Sequence, residues 1–249
     1  VTRRRSSLIH VGTSGWTYDD WTGPFYPEDV KGPERLSFYA RQFDTVEVNT
    51  TFYRLPFKGM ITGWNRRLPQ SFHMVVKGSR LITHMKQLED CEEPLARFFD
   101  RVLELTTLRV VLWQLPPSLR NDPDLLSRFL AQLPSSVRHA VEFRHESWWN
   151  DKTAHLLASH NATFVAISHP KLPGDIVPTS DVLYLRFHGL GPRLYDYDYS
   201  DAELREWANR AKPHMRGREL YAFFNNDHRA RAPRDATAFR GLIVAAGRD

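Results

Sequence analysis

Eight short β-like runs, each closing in hydrogen-bonding or charged residues, constrain this chain more than any other feature. They are Leu8–Thr13, Thr45–Asn49, Phe72–Lys77, Arg109–Gln114, Arg138–Arg144, Ala162–Ser168, Val182–His188 and Glu219–Asn226. Side chains alternate between the faces of a strand. Glu47 and Asn49 therefore share a face opposite Val46 and Val48, and Glu142 and Arg144 oppose Val141 and Phe143. Tyr184, Arg186 and His188 oppose Leu183, Leu185 and Phe187, while Lys77 lies on the face of Val75. The apolar faces must meet helices, so the polar set is expected to line an enclosed interior. That pattern is a closed β/α barrel with its site at the C-terminal strand ends.

Helical signals separate the runs. Pro33 opens a first helix carrying Leu36, Tyr39, Ala40 and Phe43, and Ile61, Trp64 and Leu68 mark a second. Pro94 opens a third, Asn121 or Asp122 caps a fourth, and Asp151–His160 forms a fifth. Ser200 with Glu203 reads as a capping box before Leu204, Trp207 and Ala208. Ala236, Phe239, Leu242 and Ile243 close the chain. Pro170–Ser180 holds three prolines and a glycine, so a loop is expected where the sixth helix belongs. The fold class is thus α/β, a single TIM-type (β/α)8 barrel over residues 1–249 with residues 1–7 as a basic tail. A doubly wound open sheet is the rival. Its central strands would read as continuous apolar runs, and neither a dinucleotide fingerprint nor a phosphate-binding lysine loop is present.

Composition narrows the setting. The chain is 41% hydrophobic and 25% charged, with no run of the ~18 apolar residues that a membrane helix needs. A lone cysteine, Cys91, forms no intramolecular disulfide or Cys-rich metal cluster, so a reducing cytoplasm is the simplest expectation. The net charge of +5 invites a nucleic-acid reading. The basic residues are scattered, however, apart from Arg3–Arg5 and the group Arg229, Arg231, Arg234.

The segments Val11–Trp16, Gly23–Pro27, Phe43–Asn49 and Thr51–Arg54 resemble the YecE-like family (domain of unknown function 72). Gln114–Ser118, Val141–His145 with Ser147-Trp148, Arg186–Gly189 and Phe224–Asp227 continue the resemblance in family order over nearly the whole chain. It implies a TIM-type barrel and no established reaction. One departure stands out: where the family usually has Gly-His-Ala-Pro-x-Asn, this chain has Ala230-Arg231-Ala232-Pro233-Arg234-Asp235. That replacement removes a histidine and makes the rim more basic.

The expected inward groups are Asn49, Gln114 and Asn226; Glu47 and Glu142; Lys77, Arg144 and Arg186; and His188. With His188 neutral they sum to +1, which favours an anionic ligand such as a phosphate, carboxylate or sugar acid. His188 is the candidate acid–base group, with Glu47 and Glu142 as candidate catalytic carboxylates. Asp227, Trp16 and Tyr53 join the candidate substrate contacts, and Tyr195 and Tyr197 read as a mobile cover. Each has a bland alternative. Glu142 with Arg144 or Arg186 is equally a structural ion pair, and Lys77 is a Schiff-base or phosphate-binding lysine or else a partner for Glu47. His10 and His73 read as structural, and His169 as a loop residue. Two carboxylates about 6–9 Å apart would suit inverting glycoside hydrolysis. The metal ligands Glu47, Glu142, His188 and Asp227 are a thin set, so no metal and no organic cofactor is expected. Two functions remain open: a hydrolase or lyase acting on an anionic sugar-like or nucleotide-derived substrate, and a non-catalytic barrel binding nucleic acid or another anionic ligand.

Overall fold

The computed structural model describes residues 8–246, and the basic segment 1–7 lies outside them. Eight parallel strands form one sheet in the order β1-β8-β7-β6-β5-β4-β3-β2. They are β1 Ile9–Thr13, β2 Thr45–Val48, β3 His73–Lys77, β4 Leu108–Gln114, β5 Arg138–Glu142, β6 Thr163–Ser168, β7 Val182–Phe187 and β8 Glu219–Phe224. Around them run α1 Arg35–Gln42, α2 Thr50–Tyr53, α3 Lys58–Arg67, α4 Glu92–Val102, α5 Pro123–Ala131, α6 Asp151–Ser159, α7 Asp201–Ala211 and α8 Arg231–Ala246. The result is a nearly closed (β/α)8 barrel.

Local chemistry sets the helix ends. Asp122, not Asn121, caps α5 by accepting from the Leu125 amide at 2.9 Å, and Ser200 and Glu203 form the expected capping box of α7. Pro33 falls in a 3-10 turn before α1, and Pro94 sits in the first turn of α4. Among the described residues no helix joins β6 to β7. The proline-rich loop there is fastened by Thr179 Oγ1, which donates to Ala162 O at 2.7 Å and accepts from Phe164 N at 2.9 Å. Its Ile176 and Val177 cover core that a helix would otherwise shield.

The interior is not polar throughout, as the alternation implied. Its middle is an apolar plug including Val75, Val110, Leu112, Val165, Ile167 and Phe223, and charge collects at the two ends. At the N-terminal end His10 bonds Asp44 (2.7 Å) and Glu219 (3.0 Å), and Glu219 also accepts from Arg138 at 2.5 Å. His73 stacks on the His10 ring with centroids 3.9 Å apart. This ties the starts of β1, β3, β5 and β8 together. His10, His73 and Glu219 offer ligand atoms within 4.8 Å of one another. Both nitrogens of His10 are engaged and Arg138 holds Glu219, so the ion-pair network accounts for the set.

The seam lies between β1 and β2, which share only the Ser14–Glu47 bridge and the Gly15 N to Glu47 O bond of 2.8 Å. A buried hydroxyl completes it: Tyr39 accepts from Thr13 N at 2.9 Å and donates to Thr45 O at 3.1 Å. Gly12 permits the approach, because a Cβ there would stand 2.3 Å from Thr45 O.

Removing the Tyr39 hydroxyl strands a buried N–H and C=O, which costs about 1–3 kcal/mol. Tyr39→Phe is expected to lower the melting midpoint by about 2–4 °C per kcal/mol lost; an unchanged midpoint would show that the seam does not need the bridge. A second prediction concerns pH. Burial alone would lower the His10 value, but Asp44 and Glu219 raise it from 6.5 to about 9. The folded value exceeds the unfolded one, so this contribution, at most about 3 kcal/mol, is complete below neutral pH and lost as pH rises through the folded value. The midpoint gap between wild type and His10→Gln should therefore narrow from about pH 6 to about pH 10. A gap independent of pH would contradict the charged pairing.

Candidate functional site at the barrel mouth

At the C-terminal strand ends a fully buried guanidinium holds both inward carboxylates. Arg186 on β7 donates through Nη2 to Glu47 Oε1 on β2 (2.6 Å) and through Nη1 to Glu142 Oε2 on β5 (2.5 Å). Side-chain exposure is 1% for Arg186 and 0% for both glutamates. Tyr184 OH donates to Glu47 Oε2 at 2.5 Å and Ser14 Oγ donates to Oε1 at 2.7 Å. Arg144 Nε donates to Glu142 Oε1, so the pairing expected along β5 forms. Each carboxylate is thus saturated, as buried charges require.

Electrostatics follow from this packing. Burial would raise Glu142, but Arg144 and Arg186 hold it well below the usual carboxylate range. Burial and the Glu47 charge push Tyr184 far above its ordinary value, so it remains a donor. Burial and the Arg144 charge hold His188 well below its ordinary value, and the imidazole is neutral. Arg144 Nη2 lies 2.9 Å from His188 Nε2, and the Asn225 amide nitrogen lies 3.3 Å from Nδ1. Gly189 follows with φ +97, and a Cβ there would meet Tyr197 at 2.5 Å, so glycine lets the chain leave β7.

Above this sealed layer two cations remain within reach. Arg144 keeps 11% side-chain exposure and lines a cavity of about 470 Å³ with Gln114, His169, Lys171 and Tyr195. The ammonium of Lys77, half-buried on β3, has no hydrogen bond or ion pair among the described residues and lies 4.2 Å from the Phe52 ring centroid. Burial and the Arg186 charge lower it to about 8. The alternative partner, Glu47, is taken by Arg186, Tyr184 and Ser14.

The remaining candidates scatter. Trp16 packs edge-on against Trp64 and lines, with Asn49, a separate apolar cavity of about 430 Å³ whose one charged wall residue is Arg67. Tyr53 is a rim residue, 76% exposed. Asn226 is buried and donates to Tyr197 O (2.8 Å) and Asp235 (2.7 Å), which anchors the loop. Asp227 is half-buried, and burial with the nearby Asp20 raises it to about 6. Tyr195 covers the cavity with φ +72, while Tyr197 is pinned to Glu203 at 2.6 Å. Sequence reasoning missed Ser14, His84 and Asn225 and set His169 aside as a loop residue. Only the tertiary fold brings these to the mouth.

The family profile described as "Protein of unknown function DUF72" matches residues 10–248. The chain belongs to the DUF72 family. The DUF72 family protein of Thermotoga maritima superposes with a TM-score of 0.86 at 32% identity, over 95% of this chain and 99% of that one. A DUF72 family protein of Enterococcus faecalis shares the fold, with a TM-score of 0.82 at 18% identity over 95% and 96% of the two chains. UPF0759 protein YunF of Bacillus subtilis is 22% identical over 254 residues, 88% of this chain and 89% of YunF. UPF0759 protein YecE of Escherichia coli is 28% identical over 144 residues, 57% of this chain and 50% of YecE.

The motifs of this DUF72 barrel supply its mouth: Ser14 follows β1, Glu47 lies within Phe43–Asn49, and Glu142, Arg144, Arg186 and His188 come from two others. The departure after Asp227 has a backbone consequence. Ala230, where the usual pattern has glycine, adopts φ +55 and follows Arg229 at φ +57. Arg231 and Arg234 do not leave the rim strongly basic, since Asp196 and Asp198 pair with them.

If Arg186 is the clamp, removing it leaves two buried carboxylates unpaired, a loss of about 3–5 kcal/mol. Arg186→Met should be strongly destabilised in denaturant unfolding, and adding Glu47→Gln and Glu142→Gln should recover part of the loss. A triple variant less stable than Arg186→Met would contradict mutual neutralisation.

Proposed function

We propose that the mouth binds a small anionic molecule, sugar-like or nucleotide-derived, and acts on it as an enzyme without an organic cofactor. The observation that carries this reading is Lys77: a desolvated ammonium with no carboxylate partner among the described residues, near enough to the cavity-lining Arg144 for the two charges to act on each other. A buried unpaired charge costs free energy that an anionic ligand would offset. Counting Lys77, Arg144 and Arg186 against Glu47 and Glu142, with His188 neutral, the mouth carries a net charge of +1.

Of the two reaction classes the sequence left open, lyase chemistry is better supported than two-carboxylate hydrolysis. Glycoside hydrolysis needs one carboxyl protonated as the acid. Here one guanidinium occupies both glutamates, and Glu142 is held ionised. Nucleic-acid binding has weaker support, because Arg231 and Arg234 are matched by Asp196 and Asp198. No helix among the described residues is long and apolar enough to cross a membrane, and the buried free Cys91 suits a reducing cytoplasm.

The test is a thermal-shift comparison with inorganic phosphate, sugar phosphates, sugar acids and short oligonucleotides. A ligand at about 100 times its Kd adds about 2.7 kcal/mol. At this chain size that raises the midpoint by about 5–10 °C. Lys77→Met should match or exceed wild-type stability without ligand and abolish the shift. A ligand shift that survives Lys77→Met, or one given only by oligonucleotides and erased by salt, would overturn the reading.

A further inference from the structure

The electrostatic surroundings of Lys77 fit a second role, one that rests on the anion-binding reading above. Its ammonium sits on an aromatic face with no counter-ion among the described residues, while Arg144 and Arg186 supply like charge nearby. A lysine that is desolvated, or set beside other cations, is the type that supplies a neutral nucleophilic amine. Its place fits too: Lys77 is the last residue of β3, on the inward face, where barrel enzymes carry reacting groups.

We propose that Lys77 forms an imine with a small aldehyde or ketone that also carries a carboxylate, with Arg144 holding the carboxylate. The sheet register supports the pairing. Lys77 lies beside Leu112 on β4, and Gln114, two residues further along the same face, lies beside Glu142 on β5. Arg144 therefore stands two strands across and four residues further along than Lys77, about 16 Å of backbone, and its charge still acts on the Lys77 ammonium. Two long side chains reaching inward close that span to the length of a short keto acid. Arg144 spends Nε on Glu142, yet it keeps a face on the cavity beside Gln114 and His169.

The chemistry balances with nothing added. The neutral Nζ attacks the carbonyl carbon, and the carbonyl π pair moves to oxygen. Proton transfer from nitrogen to that oxygen gives a carbinolamine. Expulsion of water then forms C=N, and protonation leaves a cationic iminium in place of the ammonium. The iminium draws electrons from the adjacent carbon–carbon or carbon–hydrogen bond, the activation that a lyase requires. Lys77 titrates near 8, so much of it is neutral in mildly alkaline buffer. His84, held near 4 by burial and by the Lys77 charge, packs edge-on against the same Phe52 ring at 4.9 Å as a neutral base.

The experiment traps the imine. The intact protein is incubated with glyoxylate or pyruvate and sodium cyanoborohydride, and adducts are mapped by peptide mass spectrometry over all seven lysines. Lys77 should be labelled about tenfold to a hundredfold faster than any other lysine, following its larger neutral fraction. Lys77→Arg should keep the phosphate-induced thermal shift and lose the preferential adduct, separating charge from nucleophile. No adduct at Lys77, or labelling no faster than at the exposed lysines, overturns the imine even if phosphate still shifts the midpoint. Trapping at Lys77 that is equal for glyoxylate and neutral propanal, with no phosphate shift, would uphold the imine amine and refute the carboxylate clamp.

Discussion

The mouth of this barrel depends on one guanidinium, that of Arg186, shared between Glu47 and Glu142. It joins β2, β5 and β7 across the interior with both carboxylates fully buried. Removing two acids and a base from water is costly, and the remaining lone pairs must be filled for the arrangement to stand. Tyr184, Ser14 and Arg144 fill them. Arg186, Glu47 and Glu142 thus spend their charge on one another, and of the Arg186 nitrogens only Nε is left without a partner among the described residues. The charge left over is that of Lys77, over the Phe52 ring.

This division explains how the two ends of the barrel differ. At the N-terminal end, Asp44, Glu219 and Arg138 enclose His10, and the charges answer one another. At the other end the same kind of network is built, but one cation too many is supplied. Lys77 lies over Phe52 with no carboxylate partner among the described residues. Residues at the N-terminal face of such barrels serve stability, whereas those at the C-terminal face bind and react. The charge arithmetic here follows that division.

The barrel was legible in the sequence because alternation along eight runs is a local signal, and turn and cap chemistry is local too. Ser200 and the proline-rich stretch after β6 read correctly from their immediate neighbours, and the cap of α5 was narrowed to Asn121 or Asp122, of which the fold uses Asp122. The inward faces of Glu47, Glu142, Arg186 and Lys77 were also legible, since face follows from parity. Partnership was not. That Arg186 rather than Lys77 would neutralise Glu47 depends on β7 lying across from β2, a property of closure. Ser14, Asn225 and His84 sit on connecting segments, where periodicity carries no information, so only the folded chain places them. The apolar plug in the middle was equally hidden, because parity separates inward from outward but does not set height along the barrel.

Lys77 is a desolvated cation with no anionic partner among the described residues, and a direct titration tests this. With ¹³Cε-labelled lysine, the resonance lost in Lys77→Met should titrate near 8, as the burial of Lys77 and the charge of Arg186 dictate. A Lys77 resonance titrating with the others, near the ordinary ~10.4, would mean that water or a carboxylate reaches it. The mouth would then hold no unanswered charge.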